Sequence, residues 1–182
     1  MLFRSSSNAS ATLKGLNMLA PDPVSPEKLE EIAGGLGSDC PFFLHRGPMM
    51  TEGRGEILSP VRLHLEDLFI VLLYPGIHIS TAEAYREVKP VMPDRHLENL
   101  INEPVDKWRD LIVNDFEVPV FQRYPELAKI KGKLYDSGAL FASLSGSGSS
   151  LYGLFRRLPA LPESLVRMVI WKGPAGEAFT PR

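Results

Sequence analysis

Apolar positions along the chain predict short helices first and short strands later. Helical spacing predicts one helix over residues 9–19 and a second that starts after Ser25 and ends at the pair Gly34-Gly35. A glycine-bearing turn at residues 52–56 lies between two short strand-like runs. The clearest strand is the continuous apolar run over residues 68–74, which Pro75-Gly76 closes.

The rest of the chain continues this alternation. Further predicted elements are a helix beginning at Ser80 or Thr81, an amphipathic stretch over 95–112 interrupted by Pro104, a helix over 121–135, strands over 139–144 and 151–155, and a last strand over 166–171. This order suits an α+β sandwich with helices on one face of an antiparallel sheet. We place a domain boundary between residues 64 and 65, and we expect the tail from Gly173 onward to be frayed.

Composition narrows the class of protein. The 182 residues are 44% hydrophobic and 23% charged with a net charge of −2, which excludes wholesale disorder and argues against a phosphate-backbone binder of nucleic acid. The single cysteine, Cys40, excludes an internal disulfide and suits a reducing cytoplasm. No apolar run is long enough for a bilayer, no signal-peptide core follows Met1, and the four histidines lack metal-ligand spacing. We therefore expect a cytoplasmic protein with no nucleic-acid or membrane partner and no metal-binding residues.

Two polar segments in the first half could carry chemistry. Residues 5–12 are small and polar and lead directly into a helix, where backbone N–H groups and hydroxyls can hold phosphate oxygens. Asp39 lies in a glycine-bearing loop before an apolar aromatic pair, and such a carboxylate can orient or deprotonate a substrate hydroxyl. Taken alone, ordinary helix capping is favoured for the first segment and an Asx turn for the second.

The third segment is the glycine–serine run over residues 145–150. Such runs are commonly flexible linkers, but this one lies between two predicted core strands. Glycines in that position let the backbone approach a ligand closely, so a functional loop is favoured over a linker.

Together and in this order, the segments resemble a known family. The matching segments are Ser6–Thr12, Leu36–Phe43, Glu52–Glu56, Pro75-Gly76 with Ser80–Tyr85, Asn114–Glu117 and Leu144–Ser150. They resemble the 4-diphosphocytidyl-2-C-methyl-D-erythritol kinases of the GHMP kinase superfamily. The match extends over nearly all of the chain up to Phe155, and the part beyond Pro159 matches poorly. The glycine–serine loop alone indicates only the superfamily, and the Asp39 loop with Glu52–Glu56 narrows the resemblance to this family.

The resemblance implies ATP-dependent phosphorylation of the 2-hydroxyl of the small-molecule substrate 4-diphosphocytidyl-2-C-methyl-D-erythritol, with Mg²⁺ accompanying the ATP. It implies that Asp39 is the catalytic base or hydroxyl-orienting group and that Asp39, Thr81 and Tyr85 lie at the substrate. The residues it implies for the nucleotide are Ser5, Ser6, Ser7, Asn8, Ala9 and Ser10 around the phosphates, and Ser145, Gly146, Ser147, Gly148 and Ser149 beside them. The implied fold is a partial N-terminal domain over 1–64, followed by a ferredoxin-like α/β sandwich over 65–182.

The sequence departs from the family at its start. The family has an N-terminal section with a lysine that pairs with the catalytic aspartate, and we expect this chain to lack it. Phe3, Arg4 and Ser5 stand where the family has glycines, which permit backbone angles and close approach that larger residues do not. We therefore expect residues 1–182 alone to be inactive or very weak. We also expect exposed apolar surface around Leu13, Leu16, Phe42 and Phe43, and hence self-association.

Two alternatives remain open at this point. The chain is a non-catalytic remnant that acts as a binding or interaction module, or it is another GHMP kinase that acts on homoserine, mevalonate or a sugar. ATP-dependent turnover by this chain would refute the first alternative. The second is ranked lower because the Asp39 loop resembles the 4-diphosphocytidyl-2-C-methyl-D-erythritol kinases.

Overall fold

The structure, a computed structural model, describes residues 5–89 and 95–178 of the chain. Among these residues the chain divides into two compact units, unit 1 from Ser5 to Arg62 and unit 2 from Leu63 to Ala178. None of the helices in the described ranges combines the length and the apolar character needed to cross a membrane. Phe3 and Arg4, which depart from the family pattern, lie outside the described residues.

Unit 1 consists of a helical pair, a short 3-10 helix and a hairpin. Its elements are helix α1 (Ser6–Leu19), helix α2 (Pro26–Leu36), a 3-10 helix (Pro41–Leu44) and strands β1 (Met49–Glu52) and β2 (Ile57–Pro60). The two strands pair in antiparallel register, with Glu52 opposite Ile57 at the turn. The predicted turn at residues 52–56 is therefore confirmed as the hairpin connection.

Both helices of unit 1 extend beyond their predicted bounds. Helix α1 begins three residues early because the side chain of Ser5 accepts the backbone N–H of Asn8 at 3.2 Å and caps the first turn. The predicted end of α2 at Gly34-Gly35 is wrong, since the helix continues to Leu36. Glycine inside a helix costs about 1 kcal/mol relative to alanine. The fully buried Ala33 anchors this turn in the unit and outweighs that preference.

Unit 2 is built around one antiparallel sheet. Its strands are β3 (Phe69–Leu73), β4 (Phe141–Leu144), β5 (Leu151–Phe155) and β6 (Val169–Pro174). Its helices are α3 (Thr81–Glu87), α4 (Leu97–Leu100), α5 (Trp108–Leu111), α6 (Glu117–Arg123), α7 (Pro125–Asp136), α8 (Glu163–Val166) and α9 (Ala175–Ala178), with a 3-10 turn at Val105–Lys107. The strands lie in the order β4-β5-β3-β6, and every neighbouring pair is antiparallel. This confirms the predicted ferredoxin-like sandwich.

Apolar side chains cover both faces of this sheet. Alternate strand residues such as Val71 and Leu73 pack with Leu127 and Leu134 of α7 in the larger core cluster. A second cluster on the other side chains of the strands includes Phe141, Leu154 and Trp108 of α5. The expectation that helices cover one face only is therefore wrong. The amphipathic stretch around Trp108 packs its apolar side chains into this second cluster.

The predicted C-terminal elements are shifted. Val166 lies in α8, so the last strand starts at Val169. The tail is ordered beyond Gly173, because Gly173 and Pro174 pair with β3 and the buried Ala175 starts α9. The prediction of fraying is wrong for residues 173–178, and residues 179–182 lie outside the described part.

Strand β4 lies at an edge of the sheet, and side chains occupy its outward-facing backbone groups. The Tyr135 hydroxyl accepts the backbone N–H of Ala142 and donates to the carbonyl of the same residue, both at 3.2 Å. Two residues further on, Leu144 donates its N–H to the carboxylate of Glu117 at 2.9 Å. The edge strand is therefore saturated by side chains of α6 and α7 in place of another strand.

Candidate active site

In unit 1 a buried serine joins the start of α1 to the Asp39 loop. Ser10 is fully buried, and its hydroxyl lies 2.7 Å from the carbonyl oxygen of Cys40 and 2.9 Å from that of Ser6. Lys14 adds a second link through its ammonium group, which donates to the carbonyl of Phe43 at 2.9 Å. Two segments that lie about thirty residues apart in the sequence are therefore held together inside one unit.

The first turn of α1 presents small polar side chains and backbone donors. Ser5, Ser7 and Asn8 are exposed, and the Ser5 and Ser7 hydroxyls are 2.7 Å apart. The helix has 14 residues, so its unpaired first N–H groups and its dipole place a partial positive charge at its N-terminus. This arrangement suits phosphate oxygens.

Asp39 is exposed, and glycine is the residue that fits opposite it. The Ser38 hydroxyl donates to Oδ1 of Asp39 at 3.2 Å. A Cβ atom placed on Gly55 would lie only 2.8 Å from the same oxygen, and Gly55 has a φ of +103°. The bare backbone of the hairpin turn at Gly55 therefore lies directly against this carboxylate. An ionised carboxylate is an acceptor only, so it can orient a hydroxyl or take its proton.

Glu56 in the same turn has a local structural role. Its own backbone N–H and that of Arg54 donate to the carboxylate and hold the pKa of Glu56 below its ordinary value. These bonds close the turn that carries Gly55.

In unit 2 the glycine–serine run forms a closed loop between β4 and β5. Ser145 donates its N–H to the carbonyl of Ser150 at 2.8 Å, and Gly148 donates to Ser145 at 3.0 Å. Gly146 and Gly148 have φ values of +56° and +89°, which favour glycine. A Cβ atom on Gly148 would also lie 3.1 Å from Ile79. The interpretation as a structured loop, favoured over a flexible linker, agrees with these bonds.

This loop is tied to the segment that precedes α3. Ser149 is buried, and its hydroxyl donates to the carbonyl of Ile77. Ser80 caps α3, with Thr81 exposed as its first residue. Tyr85 on the same helix is 67% exposed, and its ring packs edge-to-face on Phe116 with the centroids 5.0 Å apart. Unit 2 thus brings the loop, Thr81 and Tyr85 into one network of packed segments.

Two further residues of this network, Asn114 and Glu117, had no role predicted from the sequence. Asn114 donates its side-chain N–H groups to the carbonyls of Leu144 at 3.0 Å and Gly146 at 2.9 Å. Glu117 is buried, and its Oε1 accepts from the N–H of Leu144 and the Ser143 hydroxyl. The segment Asn114–Glu117 matched the family as a motif, and this match was the signal that it mattered.

The charge of Glu117 is balanced locally. The ammonium group of Lys131 on α7 lies 2.6 Å from Oε2 of Glu117, while Oε1 faces β4. A buried carboxylate needs such a partner because desolvation opposes the charged form. The pair therefore joins α6 and α7 to the end of the strand from which the loop leaves.

A groove of about 550 Å³ lies beside the start of α1. Its lining includes Ser6, Leu13, Leu16, Ile32 and Cys40 from α1, α2 and the following loop. Leu16 is 62% exposed and Phe43 is 41% exposed, while Leu13 and Phe42 are half-buried. The expected exposed apolar surface is confirmed at two of the four positions, and self-association stays a prediction.

Comparison with known proteins identifies the family of one segment. Residues 97–165 match the family described as GHMP kinases C terminal. The chain is 48% identical over 153 residues to the 4-diphosphocytidyl-2-C-methyl-D-erythritol kinase of Azobacteroides pseudotrichonymphae, covering 84% of this chain and 57% of the relative. It is 43% identical over 152 residues to that of Parabacteroides distasonis, covering 84% and 56%.

Solved structures give the same result. A crystal structure of 4-(cytidine 5'-diphospho)-2C-methyl-D-erythritol kinase aligns with a TM-score of 0.70 and 31% identity, covering 96% of this chain and 60% of that one. Homoserine kinase from Cytophaga hutchinsonii aligns with a TM-score of 0.55 and 18% identity, covering 89% and 57%, and shares the fold alone.

These comparisons confirm the resemblance that the motifs indicated. The chain spans rather more than half the length of the curated relatives it matches, 56% and 57% of the two named above. Residues 97–165 therefore match the GHMP kinase C-terminal family, and the chain is similar over most of its length to the 4-diphosphocytidyl-2-C-methyl-D-erythritol kinases.

Proposed function

We propose that this chain acts in ATP-dependent phosphorylation of the 2-hydroxyl of 4-diphosphocytidyl-2-C-methyl-D-erythritol, a step toward isoprenoid precursors. The similarity to kinases of that name supports the reaction. The observation that carries the proposal for this chain is the Ser10 link, which holds the capped start of α1 and the Asp39 loop together. A phosphoryl-transfer site needs both parts, because positioning and charge neutralisation supply most of the catalysis.

We assign the nucleotide to two segments. The start of α1 offers backbone N–H groups and hydroxyls, and the loop between β4 and β5 offers backbone freed of side chains by its glycines. The residues are Ser5, Ser6, Ser7, Asn8, Ala9 and Ser10 in the first segment, and Ser145, Gly146, Ser147, Gly148 and Ser149 in the second. In domain terms, residues 1–64 correspond to part of a GHMP N-terminal domain and residues 65–182 to the C-terminal domain.

We assign the substrate to Asp39, Thr81 and Tyr85. The carboxylate of Asp39 accepts a hydrogen bond from the substrate hydroxyl and takes or orients its proton as the hydroxyl oxygen attacks the γ-phosphorus of ATP. The bond from that phosphorus to the bridging oxygen breaks, and ADP leaves. Thr81 and Tyr85 present an exposed hydroxyl and an exposed aromatic ring on α3. The single cysteine and the ATP requirement are consistent with a cytoplasmic location.

Mg²⁺ fits this proposal as a companion of the nucleotide. Within residues 5–89 and 95–178, no three histidine, cysteine or carboxylate side chains cluster into a metal site. Magnesium ions in kinases are held mainly by phosphate oxygens and water, with one or two carboxylates. When bound, the ion supplies neutralisation of the phosphate charge that phosphoryl transfer needs.

The test is a turnover assay of residues 1–182 with Mg-ATP and the proposed substrate. We expect weak ADP formation that Asp39→Asn reduces to background, because loss of one catalytic electrostatic group costs roughly 10²–10³ in rate. Asp22→Asn, which neutralises another exposed aspartate of unit 1, is the matched control and keeps the wild-type rate.

Equal turnover by the wild type and Asp39→Asn contradicts the role of Asp39. Binding of Mg-ATP with no turnover supports the alternative of a non-catalytic binding module. Phosphorylation of homoserine, mevalonate or a sugar in place of the proposed substrate supports another GHMP kinase.

A further inference from the structure

The side chain of Asn114 is held in one orientation by three hydrogen bonds. Its amide group donates to the carbonyls of Leu144 and Gly146, at 3.0 and 2.9 Å, and its Oδ1 accepts the backbone N–H of Phe116 at 3.0 Å. A side-chain amide has two donor hydrogens and one acceptor oxygen. Both donors are therefore committed to carbonyls at the entrance of the glycine–serine loop.

The bond to Gly146 fixes the direction of the next N–H group. A trans peptide unit is planar, so its carbonyl and the N–H that follows point in opposite directions. When Asn114 holds the Gly146 carbonyl, the N–H of Ser147 points away from Asn114. In the described part of the chain that N–H donates to no backbone carbonyl, and Ser147 is half-exposed. A donor with this orientation is suited to an anionic ligand.

Glu117 holds the strand from which the loop leaves. Its carboxylate accepts from the N–H of Leu144 and from the Ser143 hydroxyl, while Asn114 occupies the Leu144 carbonyl. Both backbone groups of Leu144 are therefore fixed, and the loop starts from a defined position. The ion pair with Lys131 stabilises the fold but does not touch the loop.

We propose that Asn114 is a positioning residue whose side-chain amide turns the Ser147 N–H outward to donate to a phosphate oxygen of the nucleotide. The inference rests on the proposed function, because the phosphate belongs to ATP. It extends that function to a residue that does not itself touch the nucleotide. The loop then works as a preformed donor, since no bond has to be broken before the anion binds.

The test uses the full chain labelled with ¹⁵N. Asn114→Asp keeps the oxygen that accepts from Phe116 but replaces the two N–H donors by a carboxylate oxygen that repels the two carbonyls. Asn114→Ala removes the two donors without adding charge. Asn102→Asp is the matched control, since Asn102 also donates to a backbone carbonyl, that of Glu98, on an exposed helix. Glu117→Gln is the stability control, because its oxygen still accepts from Leu144 while the ion pair is lost.

The first measurement is the backbone order parameter of Ser147. We expect it to fall from the rigid value of about 0.85 to below about 0.6 in both Asn114 variants. It should stay high in Asn102→Asp and in Glu117→Gln, although the latter melts at lower temperature. A purely structural role for Asn114 predicts instead that the order parameter of Ser147 falls in proportion to the melting temperature across all four variants.

The second measurement is a Mg-ATP titration followed at the loop amides. Loss of an oriented donor to a charged group predicts a Kd about tenfold higher in the Asn114 variants, with less than about threefold change in the two controls. An unchanged Ser147 order parameter or an unchanged Kd in both Asn114 variants overturns the inference. Loop amides of the wild type that do not respond to Mg-ATP refute the nucleotide assignment, and the order parameter then still decides whether Asn114 orients Ser147.

Discussion

Replacing Glu117 by alanine should severely destabilise unit 2. The substitution removes the acceptor of the Leu144 N–H at 2.9 Å, that of the Ser143 hydroxyl at 3.2 Å and the partner of Lys131 at 2.6 Å. Glu117 is only 7% exposed, so the abandoned groups lie where water reaches them poorly. Three interactions are lost at one carboxylate.

The magnitude follows from the burial of each group. Removing one partner of a buried ion pair costs about 3–5 kcal/mol, and an unpaired buried N–H costs about 1–3 kcal/mol. These penalties overlap, and the Lys131 side chain is 23% exposed and can turn to water. We therefore expect a loss of about 3 kcal/mol, which is a large part of the roughly 5–15 kcal/mol that stabilises a typical protein.

Urea unfolding followed by tryptophan fluorescence measures this loss. Both tryptophans of the chain, Trp108 and Trp171, lie in unit 2, so the signal reports on the unit that contains Glu117. Glu126→Ala removes an exposed glutamate at the start of α7 and should cost less than about 1 kcal/mol. The double variant Glu117→Gln with Lys131→Met should regain most of the loss, because a neutral pair leaves no buried charge. A loss below about 1 kcal/mol for Glu117→Ala would refute the reasoning.

Two further predictions concern pH and unit 1. Burial raises the pKa of Tyr152 to about 12, above the ordinary value of about 10, so the unfolding free energy is undiminished below pH 10 and falls as pH rises toward 12. Tyr152→Phe should remove about 3 kcal/mol of that fall, measured by urea unfolding between pH 10 and 12. Burial also raises the pKa of Tyr135, so part of the pH dependence remains. An unchanged pH dependence of the unfolding free energy contradicts the prediction. Ser10→Ala should cost about 1–3 kcal/mol and speed the reaction of Cys40 with a thiol reagent, since the Cys40 carbonyl loses its donor. Thr12→Ala, at an exposed position of α1, should leave both unchanged, and equal thiol reactivity in the two variants contradicts the Ser10 link.

Local sequence patterns predicted much of the fold. The strand over residues 69–73 and the hairpin at 52–56 follow from continuous apolar runs bounded by glycine and proline. Two of the boundary errors have one cause. Gly34-Gly35 stays helical and Val166 joins α8 because neighbouring buried residues, Ala33 and Leu165, anchor those turns in the core. Such contacts are tertiary and override local preference.

The candidate site was predictable only in part. Glycines flanked by predicted core strands indicated the loop over residues 145–150. The positive φ values of Gly146 and Gly148 are a local property that glycine itself permits. The roles of Asn114 and Glu117 have no local cause. Their bonds to Leu144 span 30 and 27 residues, and they are needed only because β4 lies at the edge of the sheet. Strand order is a property of the whole unit, so no single segment predicts that need.

The saturated outer edge of β4 has a consequence for assembly. A strand from another molecule can add to a sheet only by hydrogen-bonding to free backbone groups, which is how cross-β fibrils grow. At Ala142 and Leu144 an incoming strand would first have to displace the Tyr135 hydroxyl and the Glu117 carboxylate. Recruitment of a foreign strand at this edge therefore requires α6 and α7 to detach, which protects the β4 edge from templated aggregation for as long as those helices stay docked.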